Sequence, residues 1–236
     1  MFINPREMLE SRHIVFVSSH FPTTVEYAQK TRESFREYTA RHGYGYFYDE
    51  EPAESSETHT RHYQRCWSLQ KAKWYFPDAQ WFVWIDSDIF VNPSQQHLVV
   101  QDLLDLEDTR MLYHFFHEHP FYYPINTGVK FVRAEAISYE VEAYRLKDTP
   151  PWNEFPYEQK CMYEYTIPKI PGQSTIHDPY VLNCLAMAHW EHMEKALFIH
   201  LCGLNEEQRN DIMGREDDRL EYIKRKYIFE ESSTRH

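Results

Sequence analysis

Two carboxylates stand one residue apart in Asp86-Ser87-Asp88, directly after Trp-Phe-Val-Trp-Ile at 81–85 and directly before Ile89-Phe90-Val91. Acids set in so apolar a stretch are costly to bury without a partner. Just past the end of a buried strand, carboxylates at i and i+2 can turn toward one cation. Hard divalent cations such as Mg²⁺ and Mn²⁺ take oxygen ligands and share them with substrate phosphates. A surface turn is the plain alternative, since Asp and Ser are frequent there; the apolar flanks favour the metal site. The 236-residue chain carries a formal net charge of −12. That argues against a nucleic-acid backbone as ligand, because such proteins present basic faces. An acidic protein that handles a diphosphate needs local cations, from a metal or from Arg and Lys.

The elements that must position such a site can be read along the chain. His13–Ser19 is an apolar, β-branched run and reads as a buried first strand. Pro22-Thr23-Thr24 opens a helix to about His42, closed by Gly43 and Gly45, and Tyr44–Tyr48 reads as a second strand. After a polar loop at Glu50–Thr60, a helix runs from Arg61 to Phe76, and Trp81–Ile85 is a central strand covered on both faces. Strands are expected at Met111–Phe115, Val129–Val132 and Ala196–His200. Helices are expected at Ala134–Leu146 and Pro179–His189, with a charged one from Asn205 to Tyr227. No repeat or linker divides the chain, and Pro150-Pro151 and Pro168–Pro171 mark loops within one domain, 1–236. The class is α/β, with a mostly parallel central sheet flanked by helices and ligands outside the carboxyl ends of the strands.

Hydrophobic residues at 42% and charged residues at 26% are a globular balance, and the 17% aromatic share gives weak support for a carbohydrate ligand. The aromatics near Tyr113–Tyr123 and Trp152–Tyr165 suit an acceptor cleft or a core equally. Cys66, Cys161, Cys184 and Cys202 are scattered, which disfavours a zinc knuckle and fits a reducing compartment. No stretch approaches the roughly 18 apolar residues of a bilayer span. Met1–Arg12 has no signal-peptide core. The expectation is a soluble, cytoplasmic protein as given, or a Golgi-type lumenal domain where an anchor has been removed.

WFVWIDSDIFVNP, at 81–93, resembles the core of glycosyltransferases with the GT-A fold. It is similar in particular to the galactosyl/xylosyl/mannosyltransferase group, which includes yeast α-galactosyl and α-mannosyl enzymes and plant xyloglucan xylosyltransferases. The resemblance implies a single Rossmann-like GT-A domain. Such a domain moves a sugar from a UDP- or GDP-sugar to a hydroxyl of a glycan or other acceptor, with no nucleic acid involved. It implies Mn²⁺ on the donor diphosphate, held by Asp86 and Asp88. His200, in His200-Leu201-Cys202-Gly203, is implied as the third ligand, and an imidazole beside two carboxylates favours Mn²⁺ over Mg²⁺. Taken alone, one His among 14 is more often structural.

Asn126-Thr127-Gly128 matches a family motif near the donor sugar. By itself it is a turn entering a strand, with Gly128 supplying an unusual backbone angle. Ser87 and Gly203, inside the motifs above, are grouped with these donor contacts. Glu158-Gln159 resembles the family's Asp-Gln at a helix start, with Glu158 orienting hydroxyls or stabilising charge at the anomeric carbon and Gln159 holding the sugar or the acceptor. A helix N-terminus made acidic to suit its dipole is the alternative reading, and Glu stands where the family has Asp. Arg65 takes the place of a family Lys that contacts the diphosphate, or is a solvated helix charge. Ser18, Ser19, Tyr48 and Asp49 end the first two strands, where GT-A enzymes bind base and ribose. Retention of configuration is implied and inversion stays open. A nucleotide-sugar-binding module without turnover is the competing class. A phosphohydrolase would need further clustered acids for a second metal.

Overall fold

The structure is a computed structural model that describes residues 11–51, 57–118, 123–215 and 218–230. Strands β1 (Ile14–Ser19) and β3 (Trp81–Ile85) are parallel neighbours, and β2 (Gly45–Asp49) flanks β1 in parallel. Their unbroken apolar runs follow from burial on both faces. Val15, Val17, Phe82 and Trp84 point into one core layer, and Ile14, Phe16, Trp81, Val83 and Ile85 into the other. Helix α1 (Glu26–His42) joins β1 to β2. It begins after the expected threonines, with Val25 at its N-cap, and ends at Gly43, whose φ of 72° is left-handed. Helix α2 (Thr58–Tyr75) starts ahead of the expected Arg61 and buries Tyr63, Cys66, Leu69 and Ala72 in the first core layer.

Beyond β3 the sheet continues through β6 (Asn126–Arg133), β5 (Tyr113–Phe116) and β7 (Ser174–His177), giving the order β2-β1-β3-β6-β5-β7. β6 runs antiparallel to both neighbours, so five strands share one direction and one is reversed. β6 is buried over all eight residues. A second sheet has the order β4-β9-β8, from β4 (Ile89–Val91), β9 (Phe198–His200) and β8 (Cys184–Leu185). Chain leaving β3 passes through residues 86–88 and enters β4, so the acidic triplet is the crossing point between the sheets. Helices α3 (Val100–Leu103), α4 (Ile137–Leu146) and α5 (Glu158–Cys161) complete the middle of the chain.

The expected helix at Pro179–His189 does not form. Its apolar residues are spent on β8 and on turns around a fully buried Asn183. The expected 205–227 helix is divided. α6 (Glu206–Met213) has a capping box between Asn205 and Gln208 and gives way at Gly214, and α7 (Arg219–Ile223) runs into a wider turn at Lys224–Glu230. The polar residues 52–56, the aromatic-rich 119–122, residues 216–217 and the N-terminal 1–10 lie outside the described residues. Among the described residues, no helix is long and apolar enough to cross a membrane.

Candidate active site

Asp86 and Asp88 sit at the crossing point, and the strand register brings His200 to them. Ile89 pairs with His200 across β4 and β9, which puts His200 Nε2 3.2 Å from Asp88 Oδ1. One ligand atom from each of Asp86, Asp88 and His200 lies within 4.8 Å of the others.

The far side of the His200 ring is fixed by amides. Asn183 Nδ2 donates to Asn126 Oδ1 at 2.9 Å, so Asn183 presents its carbonyl oxygen to His200 Nδ1, 3.1 Å away. That oxygen can only accept, so Nδ1 carries a proton and Nε2 is left toward Asp88. Nε2 and a carboxylate oxygen are then both acceptors at 3.2 Å, and a proton or a cation must lie between them. The donor set of two carboxylates and one oriented imidazole fits a divalent cation.

Gly128 makes room for this ring. A Cβ built on it would lie 2.3 Å from His200 Cε1. Its φ is not left-handed, so close approach is its role, in place of the unusual backbone angle expected from sequence. Gly203, in the turn after β9, is left-handed at φ 85°, with open space around it.

Asp86 is steered from α2 and β3. Trp84 Nε1 donates to its Oδ1 at 2.6 Å, and Arg65 Nη2 lies 3.3 Å from the same oxygen. Arg65 is buried, and its Nη1 donates to Thr127 Oγ1 at 2.8 Å and to the Thr127 carbonyl at 3.0 Å. Thr127 Oγ1 in turn donates to Glu158 Oε2 at 2.8 Å, and Lys130 Nζ meets Glu158 Oε1 at 2.6 Å and Glu140 Oε2 at 2.7 Å. Burial opposes ionisation of Glu158, and Lys130 and Arg65 outweigh it, holding the carboxyl below its ordinary value. Burial likewise opposes charge on Asp88, and His200 and Arg209 overcome it to the same effect. Cys66, Glu140 and Glu158 also converge, but the Lys130 ammonium already partners both of these glutamates. Gln159 Nε2 donates to Glu118 Oε2 at 2.5 Å, and burial pushes the Glu118 carboxyl up.

A cavity of about 510 Å³ opens beside the acids, within the usual range for a small-molecule site. Ser19, His20, Arg61, His62, Arg65 and the three residues 86–88 are among those lining it. Ser18, Tyr48, Asp49 and Gly203 are not among the described lining residues. Asp49 is taken up by Lys71 at 2.5 Å, Ser68 at 2.5 Å and Gln64 at 3.3 Å, which tie β2 to α2. Tyr48 lies under the Arg32 guanidinium, and Ser18 is buried in the core. Sequence reasoning missed His20, whose Nδ1 meets Ser87 Oγ at 2.8 Å, and Arg209, whose Nη2 meets Asp88 Oδ2 at 2.9 Å. It also missed Asn183, Lys130 and Glu140. Nothing in their spacing gives them away, because each is brought in by tertiary packing.

A mixed sheet with one reversed strand, a small second sheet and the Asp-Ser-Asp segment at the crossing fit the GT-A fold class. The model of the galactosyl transferase GMA12/MNN10 family matches residues 11–130, just over half of the chain, which therefore belongs to that family. A crystal structure of a glycosyltransferase involved in the glycosylation of the major capsid of PBCV-1 is similar at 46% identity and a TM-score of 0.84, over 85% of this chain and 98% of that one. The glycosyltransferase GlyE of Streptococcus pneumoniae TIGR4 shares the fold at 13% identity and a TM-score of 0.51, over 90% of this chain and 62% of GlyE. No curated protein matches the chain significantly.

Proposed function

We propose that this chain, acting as one domain, transfers a sugar from a UDP- or GDP-sugar to a hydroxyl of a glycan or other acceptor. Asp86, Asp88 and His200 would hold a divalent cation. The convergence of these three side chains beside the cavity carries the reading. The imidazole ligand favours Mn²⁺, with Mg²⁺ the alternative. When bound, such a cation supplies positive charge for the leaving diphosphate.

The chain's own residues do the rest. Arg65, anchored by Thr127, pairs with Asp86 at the cavity wall, and Arg61 adds a second cation there. Asn126 accepts from Asn183 and from the Gly128 N–H, and so orients the Asn183 carbonyl that meets the imidazole from behind. Glu158 has Lys130 on one oxygen and Thr127 on the other. So engaged, it is suited to orienting Thr127 and Arg65 and poorly suited to accepting a proton from an acceptor hydroxyl. This supports retention of configuration. Glu118 favours the second reading, inversion: its carboxyl is raised and lies beside Gln159, as a general base would.

Transfer or donor hydrolysis is to be measured with a panel of UDP- and GDP-sugars, with Mn²⁺ and with EDTA, in wild type and Asp88→Ala. The expected result is loss of activity in EDTA and in the variant, and an NMR assignment of the product anomer chooses between retention and inversion. Activity indifferent to both EDTA and the substitution overturns the metal-dependent reading.

A further inference from the structure

Asp88 already has a cation. Arg209 reaches it from α6, with Nη2 2.9 Å from Oδ2, while His200 faces Oδ1. The arginine is placed firmly. The capping box at Asn205 fixes the start of α6, and Asn210 Oδ1 accepts from the Tyr27 N–H at 2.9 Å, tying α6 to α1. The guanidinium lies 5.3 Å from the centre of the Tyr27 ring, and its Nε is buried with no hydrogen-bond partner. It also lines the cavity.

Arg65, the corresponding cation on Asp86, differs in kind. Its guanidinium also donates to the Thr127 hydroxyl and carbonyl on β6, a hydroxyl that passes on to Glu158 of α5, and to the His62 carbonyl on its own helix. Arg209 is committed chiefly to a carboxylate that the cation site also needs. A guanidinium and a divalent cation on one buried carboxylate repel each other. An anion in the cavity relieves that repulsion and offers new acceptors to the guanidinium that lines it.

We propose that Arg209 is a resident counter-ion of Asp88 that opposes cation binding until an anionic ligand enters the cavity, making the two binding events cooperative. The inference rests on the proposed cation site, and its test separates the two. Mn²⁺ binding is to be titrated by electron paramagnetic resonance in wild type, Arg209→Gln and Arg209→Met, alone and with UDP or GDP, with circular dichroism to check folding. Each folded variant should bind Mn²⁺ alone more tightly than wild type, on the order of tenfold. Adding the nucleoside diphosphate should raise the wild type's affinity for Mn²⁺ by more than that of either variant. Variant affinity equal to or below that of wild type, without nucleotide, overturns the counter-ion role while leaving the cation site standing. No Mn²⁺ binding by wild type or variants, with or without nucleotide, overturns both.

Discussion

At His200 the two ring nitrogens have separate tasks: Nδ1 is held by the Asn183 carbonyl and Nε2 is turned to Asp88. Space for the ring comes from the missing side chain of Gly128. Gly128→Ala should therefore displace the imidazole by a sizeable fraction of a bond length or rotate it, since a Cβ 2.3 Å from Cε1 cannot be accommodated. The same Cβ lies 2.9 Å from Asn126 Oδ1, so the amide behind the ring must shift as well. We expect Mn²⁺ affinity to fall by about 10–100-fold, the usual effect of disturbing a ligand's support, with a similar loss of transfer activity and a nearly unchanged unfolding midpoint. Unchanged affinity in a folded Gly128→Ala would show that His200 is no ligand. The apolar neighbours of Asp86 and Asp88, which make their charge expensive to bury, and the Asn-Thr-Gly and His-x-x-Gly motifs single out residues that the fold brings together. The reason for Gly128 was not legible, because the atom it makes way for is 72 residues distant and arrives through strand register.

Among the elements, β6 joins structure to site. One strand carries Asn126, Thr127 and Gly128 at the cation group and Lys130 two residues on, between Glu140 of α4 and Glu158 of α5. Lys130 and Glu140 are fully buried, and removing the ammonium takes the ion-pair partner from Glu140 and leaves Glu158 with Thr127 and Arg65 alone. Lys130→Met should cost about 3–5 kcal/mol in urea unfolding. Combining it with Glu140→Gln and Glu158→Gln should restore part of that, since neutral amides are cheaper to bury than unpaired charge. A Lys130→Met protein as stable as wild type would mean the network is solvated. The strands of the first sheet were readable as runs because both faces are covered. The second sheet was not. β8 has two residues, too few for any period, and Val181, Leu182 and Leu185 imitate a helical stripe while they serve packing around Asn183.

Over the whole molecule, a chain with 14 histidines and a net charge of −12 keeps several imidazoles neutral. Burial is the leading cause of lowered pKa at His20, His62, His114 and His177. His114 goes furthest, down to about 4, with burial first and the charge of His177 second. Its Nδ1 is 2.9 Å from His177 Nε2 across the β5–β7 pairing, so the effect belongs to the edge of the main sheet. The sign follows from proton counting. The unfolded chain takes up protons near pH 6.5, the folded chain near 4, so this stability is complete above 6.5 and lost progressively down to about 4. Asp88 and Glu158 also have lowered values, but their contribution fades only below their ordinary carboxylate range. The interval from pH 7 to pH 5 therefore reports chiefly the histidines, with Glu118, whose carboxyl burial raises, acting in the opposite sense. For His114 the expected loss across it is about 2 kcal/mol. His114→Phe, placed among Trp81 and Phe131, should remove that share of the slope in urea unfolding at the two pH values. Parallel stability curves for the variant and wild type would show that the acid sensitivity of the fold arises elsewhere.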